Sequence, residues 1–332
     1  MSGVTHRKIK ADEADLRLDR WFKRHYPGLG HGRLEKMLRK GQVRVDGKRA
    51  KGNTRLEAGQ EIRVPPMEAT DKDAKAKPKA AQYQMTAEEA KALQDRVLHI
   101  DEQVIVIDKP AGLAVQGGSK TTKHLDAMLD ALRFEKDEAP RLVHRLDKDT
   151  SGVLVLARTA KAATSLTKAF RTKDVRKLYW AAVTPSPKMD KGKINAPLIK
   201  MPAGSGEKVV VDEEFGKKAQ TYFQVVEQAA KTAAWLVMEP VTGRTHQLRV
   251  HCLMLDTRIV GDGKYGGTEA FALGKEIASQ LHLHARGIRF PHPNGKLIEV
   301  FAPLPEHMKR TWSFLGFDEA DPDASNFSVF ED

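Results

Sequence analysis

Residues 141–159 read RLVHRLDKDTSGVLVLART. Val153 to Leu156, in the second half, are all apolar. A short run of that kind, bounded by turn residues, has the signature of a strand covered on both faces. The first half packs five charged residues and His144 into nine positions. Between the halves, Thr150, Ser151 and Gly152 have the composition of a tight turn, which is a more natural role for them than reaction. The stretch therefore sets the carboxylate of Asp147 beside the guanidinium of Arg145 at the mouth of a buried strand. A strand end is a rigid mount for a reactive group, and a nearby cation keeps a carboxylate ionised, as a nucleophile must be. Two readings of Asp147 fit this pattern: a nucleophile, or half of a structural ion pair with Arg145. A kinase catalytic loop does not fit, because Leu146 interrupts HRD, no DFG follows and no glycine-rich phosphate loop precedes it. Ser151 sits in TSG, not in G-x-S-x-G, so a serine hydrolase does not fit either.

Outward from this stretch, VIVIDKP, KLYWAAV and AWLVMEPV read as further strands, and KAATSLTKAFR and RTHQLRVHCLML as helices. The mixture predicts an α+β domain over residues 93–312, built on a mixed, mostly antiparallel sheet. In the second helix Leu248, Cys252 and Leu255 form the buried face, Thr245 is placed to cap it after a turn at Gly243, and Arg249 projects from another side.

The N-terminal 66 residues read as a separate αα-β unit. Leu18, Trp21 and Phe22 form one apolar helix face, and Leu34, Met37 and Leu38 another, with Gly41 ending the second helix in the C′ role. Short strands follow through VRV, a DG turn and EIRVPP. Arg33, Lys36 and Lys40 share one helix face, either a stripe for a phosphate backbone or simply a wet surface. Residues 67–92, rich in Ala and Lys, read as a flexible linker with a capping-box helix start at Thr86–Glu89. The acidic residues 313–332 read as a loose tail.

Charge points to the partner. The 332 residues carry a net +12, and residues 1–66 hold 17 Lys and Arg against 8 Asp and Glu. Such concentration of positive charge suits a polyanion, with nucleic acid first, or is simply a solvated basic surface. No apolar run is long enough for a membrane span, and the polar N-terminus does not read as a secretory signal. Cys252 is the single cysteine, so no intrachain disulfide or cysteine metal cluster is available, which suits a reducing, cytoplasmic setting. His246, His251 and Cys252 do not share a helix face, so zinc is not expected there.

HRLDKDTSGVLVLAR resembles the signature of the RluA family of pseudouridine synthases, whose core is HRLD-x-x-TSG. LHIDEQVIVIDKPAGLAVQGG, VTGRTHQLRVH with IVGDGKYGG, and LHLHARGIRFPHP resemble further family motifs in the same order. Residues 15–65 resemble the S4 RNA-binding module that many such enzymes carry, and LRKGQVRVDGK, EIRVPP and VQGGS look most like the RluC-type, large-subunit ribosomal RNA branch. The resemblance implies that uracil is detached from C1′ of a uridine, rotated and rejoined through C5, with no metal or cofactor. It implies Asp147 as nucleophile, attacking either C6 or C1′. It further implies Arg249 paired with Asp147, Tyr179 stacked on the flipped base, and Arg145 entering the RNA stack in its place. His144, Lys109, Arg244 and His246 are expected to contact RNA, with Lys109 facing phosphate. His282 and His284 are expected to be structural or phosphate-facing. The implied partner is 23S ribosomal RNA or a pre-50S particle, bound by a monomer. A transfer-RNA substrate and a non-catalytic ribosome-assembly factor are the alternatives.

Overall fold

The structure is a computed structural model and describes residues 3–66, 83–118, 121–203, 206–322, 324–325 and 327–330. The chain divides into two compact units, one on each side of residues 81 and 82.

The N-terminal unit contains β1 (Thr5–Lys8), α1 (Leu18–His25), α2 (His31–Arg39), β2 (Arg44–Val45), β3 (Lys48–Arg49) and β4 (Glu61–Val64), with sheet order β1-β4-β2-β3. Both helix faces read from the sequence are buried: Leu18, Trp21 and Phe22 pack with Leu34, Met37, Leu38, Val43 and Ile62. Gly41, at φ +68°, ends α2 in a Schellman arrangement: its N–H meets the Leu38 carbonyl and that of Gln42 meets Met37. Asp46 and Gly47 both have positive φ, as a tight two-residue hairpin requires. Arg33, Lys36 and Lys40 are all exposed.

The C-terminal unit runs α3 (Ala87–Gln94), β5 (Val97–Ile100), β6 (Val104–Lys109), α4 (Leu125–Met128), β7 (Arg141–Leu142), β8 (Ser151–Ala157), α5 (Ala160–Thr172), β9 (Arg176–Thr184), β10 (Lys191–Asn195), β11 (Leu198–Ala203), β12 (Gly206–Val211), β13 (Gln220–Ala229), β14 (Ala233–Pro240), α6 (Gln247–Leu253), β15 (Arg258–Ile259), β16 (Leu283–Pro291), β17 (Leu297–Phe301) and α7 (Glu306–Leu315). Among the described residues, eleven strands share one sheet with the central order β10-β13-β14-β9-β16-β8-β6-β5. The pairings are antiparallel except between β8 and β16, which run parallel where Ser151 and Gly152 face His284 and Ala285. Strands β8 and β14 are buried at every position, as their apolar sequences predict.

Two stretches differ from the sequence reading. Residues 67–82 of the expected linker lie outside the described residues. Beyond them Tyr83 and Met85 pack on the core, and Thr86 and Glu89 form a reciprocal capping box for α3. The expected loose tail is packed. Phe317, Ala324 and Phe327 are buried beside Trp180, Trp235 and Trp312, and the Trp180 indole donates to the Ala324 carbonyl at 2.8 Å. The acidic composition hid three apolar residues that cover this tryptophan cluster.

Gly152 is indispensable where β8 meets β16. Its φ is +109°, and a Cβ there would lie 2.2 Å from the Ala285 carbonyl oxygen. Gly152→Ala is expected to cost about 3 kcal/mol or more, read as a large drop in thermal unfolding midpoint. A midpoint within a degree or so of wild type would show that the strands part without cost.

Candidate active site

At the start of β8 the sheet opens into a cleft of about 810 Å³, lined from the Asp147 turn, the end of α5, β9 and the segment leading into α6. It brings together Asp147, His144, Arg145, Tyr179, Arg244, His246 and Arg249. Of its charged lining, Arg145, Arg171, Lys173, Lys177, Arg244 and Arg249 are cationic, and Asp147 is the one carboxylate. Lys109 does not line it, and Arg33, Lys36 and Lys40 belong to the other unit.

The Asp147 turn is pinned from behind. Lys109, fully buried at the end of β6, donates to the carbonyls of Pro110, Leu113 and Lys148 at 2.8, 2.9 and 3.0 Å. The Gly112 N–H also meets the Lys148 carbonyl. Burial pulls the Lys109 pKa down to about 7, against the opposing charges of Asp149, Asp147 and Asp108. Three acceptors require all three ammonium protons, so the charged form closes the turn. The expectation that Lys109 contacts phosphate is therefore corrected: a KP sequence at a strand end does not show which way the ammonium turns. On the other side of the turn, Ser151 Oγ hydrogen-bonds His284 Nδ1 at 2.8 Å, and His282 Nε2 meets Thr311 Oγ1. Both histidines are fully buried and structural.

His144 serves the strand itself. The Val155 N–H donates to its Nε2 at 2.8 Å, and its ring stacks on Phe170 of α5 with centres 4.2 Å apart. Strand β7 pairs with β8 only at Leu156 and Ala157, and β16 only at Ser151 and Gly152, so the imidazole caps a backbone donor in the gap. Burial, with Lys177 adding, pulls its pKa to about 3, so the ring is neutral.

Asp147 has no hydrogen bond or ion pair through its carboxylate among the described residues, and the structural pair with Arg145 does not form. Tyr179, on β9, packs between the core under α5 and the core under α6. Burial, then the charge of Asp147, pushes its phenol pKa up, so it keeps its proton.

Arg249 also departs from expectation. It does not pair with Asp147; its Nε and Nη2 meet Asp262 Oδ2 and Oδ1 at 2.8 and 2.5 Å, and both residues are buried. A buried guanidinium is most stable when a carboxylate meets two of its N–H groups in parallel, and Asp262 reaches it from the turn after β15. Burial opposes the Arg249 charge, but the hydrogen bonds and charge of Asp262, then Asp147, outweigh it and raise the pKa. Thr245 does not cap α6. The cap position is His246, at φ +52°, and the Gln247 side chain ties the preceding loop by accepting from Thr242 Oγ1 and the Arg244 N–H. Leu248 and Cys252 are buried as expected, with Leu255 half-buried.

Residues 103–254 match the family described as RNA pseudouridylate synthase. Ribosomal large subunit pseudouridine synthase C of Escherichia coli (strain K12) is 37% identical over 308 residues, covering 91% of this chain and 93% of that protein. The chain belongs to the RNA pseudouridylate synthase family. The protein of the same name from Vibrio cholerae serotype O1 is 35% identical over 306 residues, covering 91% of this chain and 94% of its own. The solved structure of Human RNA Pseudouridylate Synthase Domain Containing 4 superimposes with a TM-score of 0.58 at 31% identity, covering 69% of this chain and 96% of that one. The synthase sheet is thus the mixed, mostly antiparallel one described above.

Sequence reasoning passed over Asp262 and Tyr265, although both lie in the IVGDGKYGG stretch it quoted. Their signal was the surplus cation: a buried arginine implies a carboxylate elsewhere, and the only guide to which one was that motif.

Two outcomes are expected here. Lys109→Met leaves the Pro110 and Leu113 carbonyls without a donor and the Lys148 carbonyl with the Gly112 N–H alone, and is expected to cost about 3 kcal/mol or more, with synthase activity falling further than stability; denaturant unfolding and turnover measured side by side check this, and unchanged turnover would refute the pin. Asp262→Ala strands a buried guanidinium and is expected to cost roughly 3–5 kcal/mol; a variant as stable as wild type would show that Arg249 finds another partner.

Proposed function

We propose that this pseudouridine synthase acts on uridine in ribosomal large-subunit RNA, with Asp147 as its nucleophile. The observation that carries the reading is the Asp147 carboxylate: half-buried, without a hydrogen-bond partner among the described residues, in a cleft whose other charged lining is cationic. A carboxylate committed to an ion pair would have to break it before attacking; this one is free to react.

The chemistry has a balanced form. The N1–C1′ bond of uridine breaks, the uracil turns, a C1′–C5 bond forms, C5 loses its proton and N1 gains one. Asp147 forms the transient bond to the nucleotide, at C6 or C1′. A flipped base loses its stacking, and Tyr179 on the cleft wall can return roughly 1–3 kcal/mol of it. Arg249 stabilises negative charge near Asp147 at a distance, because its own hydrogen bonds go to Asp262. Arg145, exposed on the same turn as Asp147, enters the RNA stack where the uridine leaves it, and Arg244 holds backbone phosphate. No cofactor takes part.

The N-terminal unit, with its exposed Arg33, Lys36 and Lys40, is proposed as an S4-like module adding sequence-independent affinity. The choice of ribosomal over transfer RNA is supported by the names of the bacterial relatives, which match the chain over 91% of its length. The 23S ribosomal RNA or a pre-50S particle is the partner, and the protein works as a cytoplasmic monomer.

Tritium at C5 of uridine is released to water when the base rejoins through C5. Wild type is expected to release it from a 23S transcript and Asp147→Asn to release none, with RNA affinity unchanged. Release by Asp147→Asn at the wild-type rate would sink the nucleophile, and release from transfer RNA alone would move the substrate. Reversing Arg33, Lys36 and Lys40 to Glu is expected to weaken RNA binding and flatten its salt dependence; an unchanged slope would remove the module from the interface.

A further inference from the structure

The cleft wall holds a hydrogen-bond chain that nothing above uses. Tyr265 is buried, and its hydroxyl oxygen accepts from the backbone N–H of Val209 at 3.1 Å and lies 2.7 Å from His246 Nδ1. The Tyr265 ring packs under the Arg249 guanidinium at 5.0 Å, and its backbone N–H meets Asp262 Oδ1. The residue is therefore immobile, and the direction of its O–H can be worked out.

The Val209 N–H points at the tyrosine oxygen, so the phenol proton must go elsewhere. Among the described residues, its one acceptor is His246 Nδ1. The imidazole therefore accepts at Nδ1 and carries its proton on Nε2. Nε2 has no partner among the described residues, and His246 lines the cleft that holds Asp147. Adding a second proton at Nδ1 would turn two hydrogens toward each other, and burial with Arg249 and Lys264 opposes that charge, while Asp147 and Asp262 favour it; the balance lowers the pKa. The ring stays neutral.

The backbone points the same way. His246 stands at φ +52°, a conformation that side chains other than glycine rarely adopt, at the entrance to α6. This conformation fixes the direction in which the side chain leaves the backbone at the head of α6.

Resting on the function proposed above, we propose that Tyr265 sets the His246 tautomer and that the His246 Nε2–H donates to a carbonyl oxygen of the flipped uracil. A neutral donor suits a neutral acceptor; the phosphates have six cations in the same lining. Tyr265 is then a positioning residue and His246 a substrate-binding one.

Two measurements test this. The first is the imidazole nitrogen spectrum of the full chain labelled at histidine with nitrogen-15, with the His246 signals identified by their loss in His246→Gln. Wild type is expected to show His246 as one tautomer protonated at Nε2, and Tyr265→Phe a mixture of tautomers. A wild-type proton on Nδ1, or a Tyr265→Phe spectrum like wild type, would overturn the tautomer assignment, and neither result depends on the RNA target.

The second is tritium release. His246→Leu is expected to lower kcat/KM about tenfold or more, and His246→Gln, which restores an N–H at similar reach, to recover to within about threefold. Both carry the same backbone cost at φ +52°, so their difference reports the donor. RNA affinity and its salt slope are expected to stay at wild type. A His246→Leu variant at full rate, or one whose salt slope falls by about one, would overturn the carbonyl contact, the latter in favour of phosphate. If wild type releases no tritium from any RNA, the proposed function fails with it; if wild type is active and the two His246 variants behave alike, this inference alone fails.

Discussion

The Lys109 ammonium determines where Asp147 can be. Burying a cation costs several kcal/mol, and a strand end offers cheaper ways to satisfy three carbonyls, water among them. Here water is replaced by a side chain from the neighbouring strand, which ties the Pro110–Leu113 loop to the Lys148 carbonyl one residue beyond Asp147. Gly152 holds the other end of the turn by letting β8 lie against Ala285, and the Ser151–His284 hydrogen bond closes the seam. Lys109 spends its protons on backbone, so its charge reaches Asp147 without a bond to it. The carboxylate receives a positive field and keeps its lone pairs.

The same division recurs across the cleft. Arg249 is satisfied by Asp262 and acts on Asp147 only through space. With Asp147 as the proposed nucleophile, a direct Arg249–Asp147 pair would stabilise the resting enzyme and add its rupture to the barrier, because an interaction lost in the transition state slows the reaction. Routing the guanidinium to a second carboxylate keeps the electrostatic benefit and removes that penalty. It also explains why one long sheet is needed. Asp147 comes from the start of β8, Tyr179 from β9 and Arg249 from the helix after β14, and β16 binds β8 to β9.

Where a residue's role is local, the sequence already carried it. The apolar runs of β8 and β14, the helix faces around Trp21 and Leu34, the Gly41 terminus and the Thr86–Glu89 capping box depend on neighbours a few positions away, and all stand in the structure. The motifs singled out Asp147, Tyr179 and Arg249 as candidates, and the three line one cleft. What failed were partnerships across the chain. The Lys109 ammonium turns to its own loop and to the Lys148 carbonyl, and Arg249 chooses Asp262 thirteen residues on. Each choice is settled by burial, and a single sequence does not say which of several carboxylates or carbonyls will be buried beside a given cation. The tail failed for a related reason. Its net charge described its surface, while Phe317 and Phe327 answered to tryptophans far earlier in the chain.

Four buried histidines complete this logic by carrying no charge. Burial pulls His144 and His284 to about 3 and His251 and His282 to about 4, and each has a ring nitrogen committed to a hydrogen bond. They act as fixed dipoles that finish strands and turns. The positive charge of the cleft then rests on the arginines and lysines of its lining, Arg145, Arg171, Lys173, Lys177, Arg244 and Arg249. A surface that must grip a polyanion gains from this, because its field does not fade as pH rises through neutrality. On the proposed role of His246, a site that must tell one neutral base from another gains too, because an imidazole whose pKa is lowered by burial is less readily captured by phosphates. The proposed division gives long-range attraction to arginine and lysine, and short-range recognition to His246, whose ring is held by Tyr265.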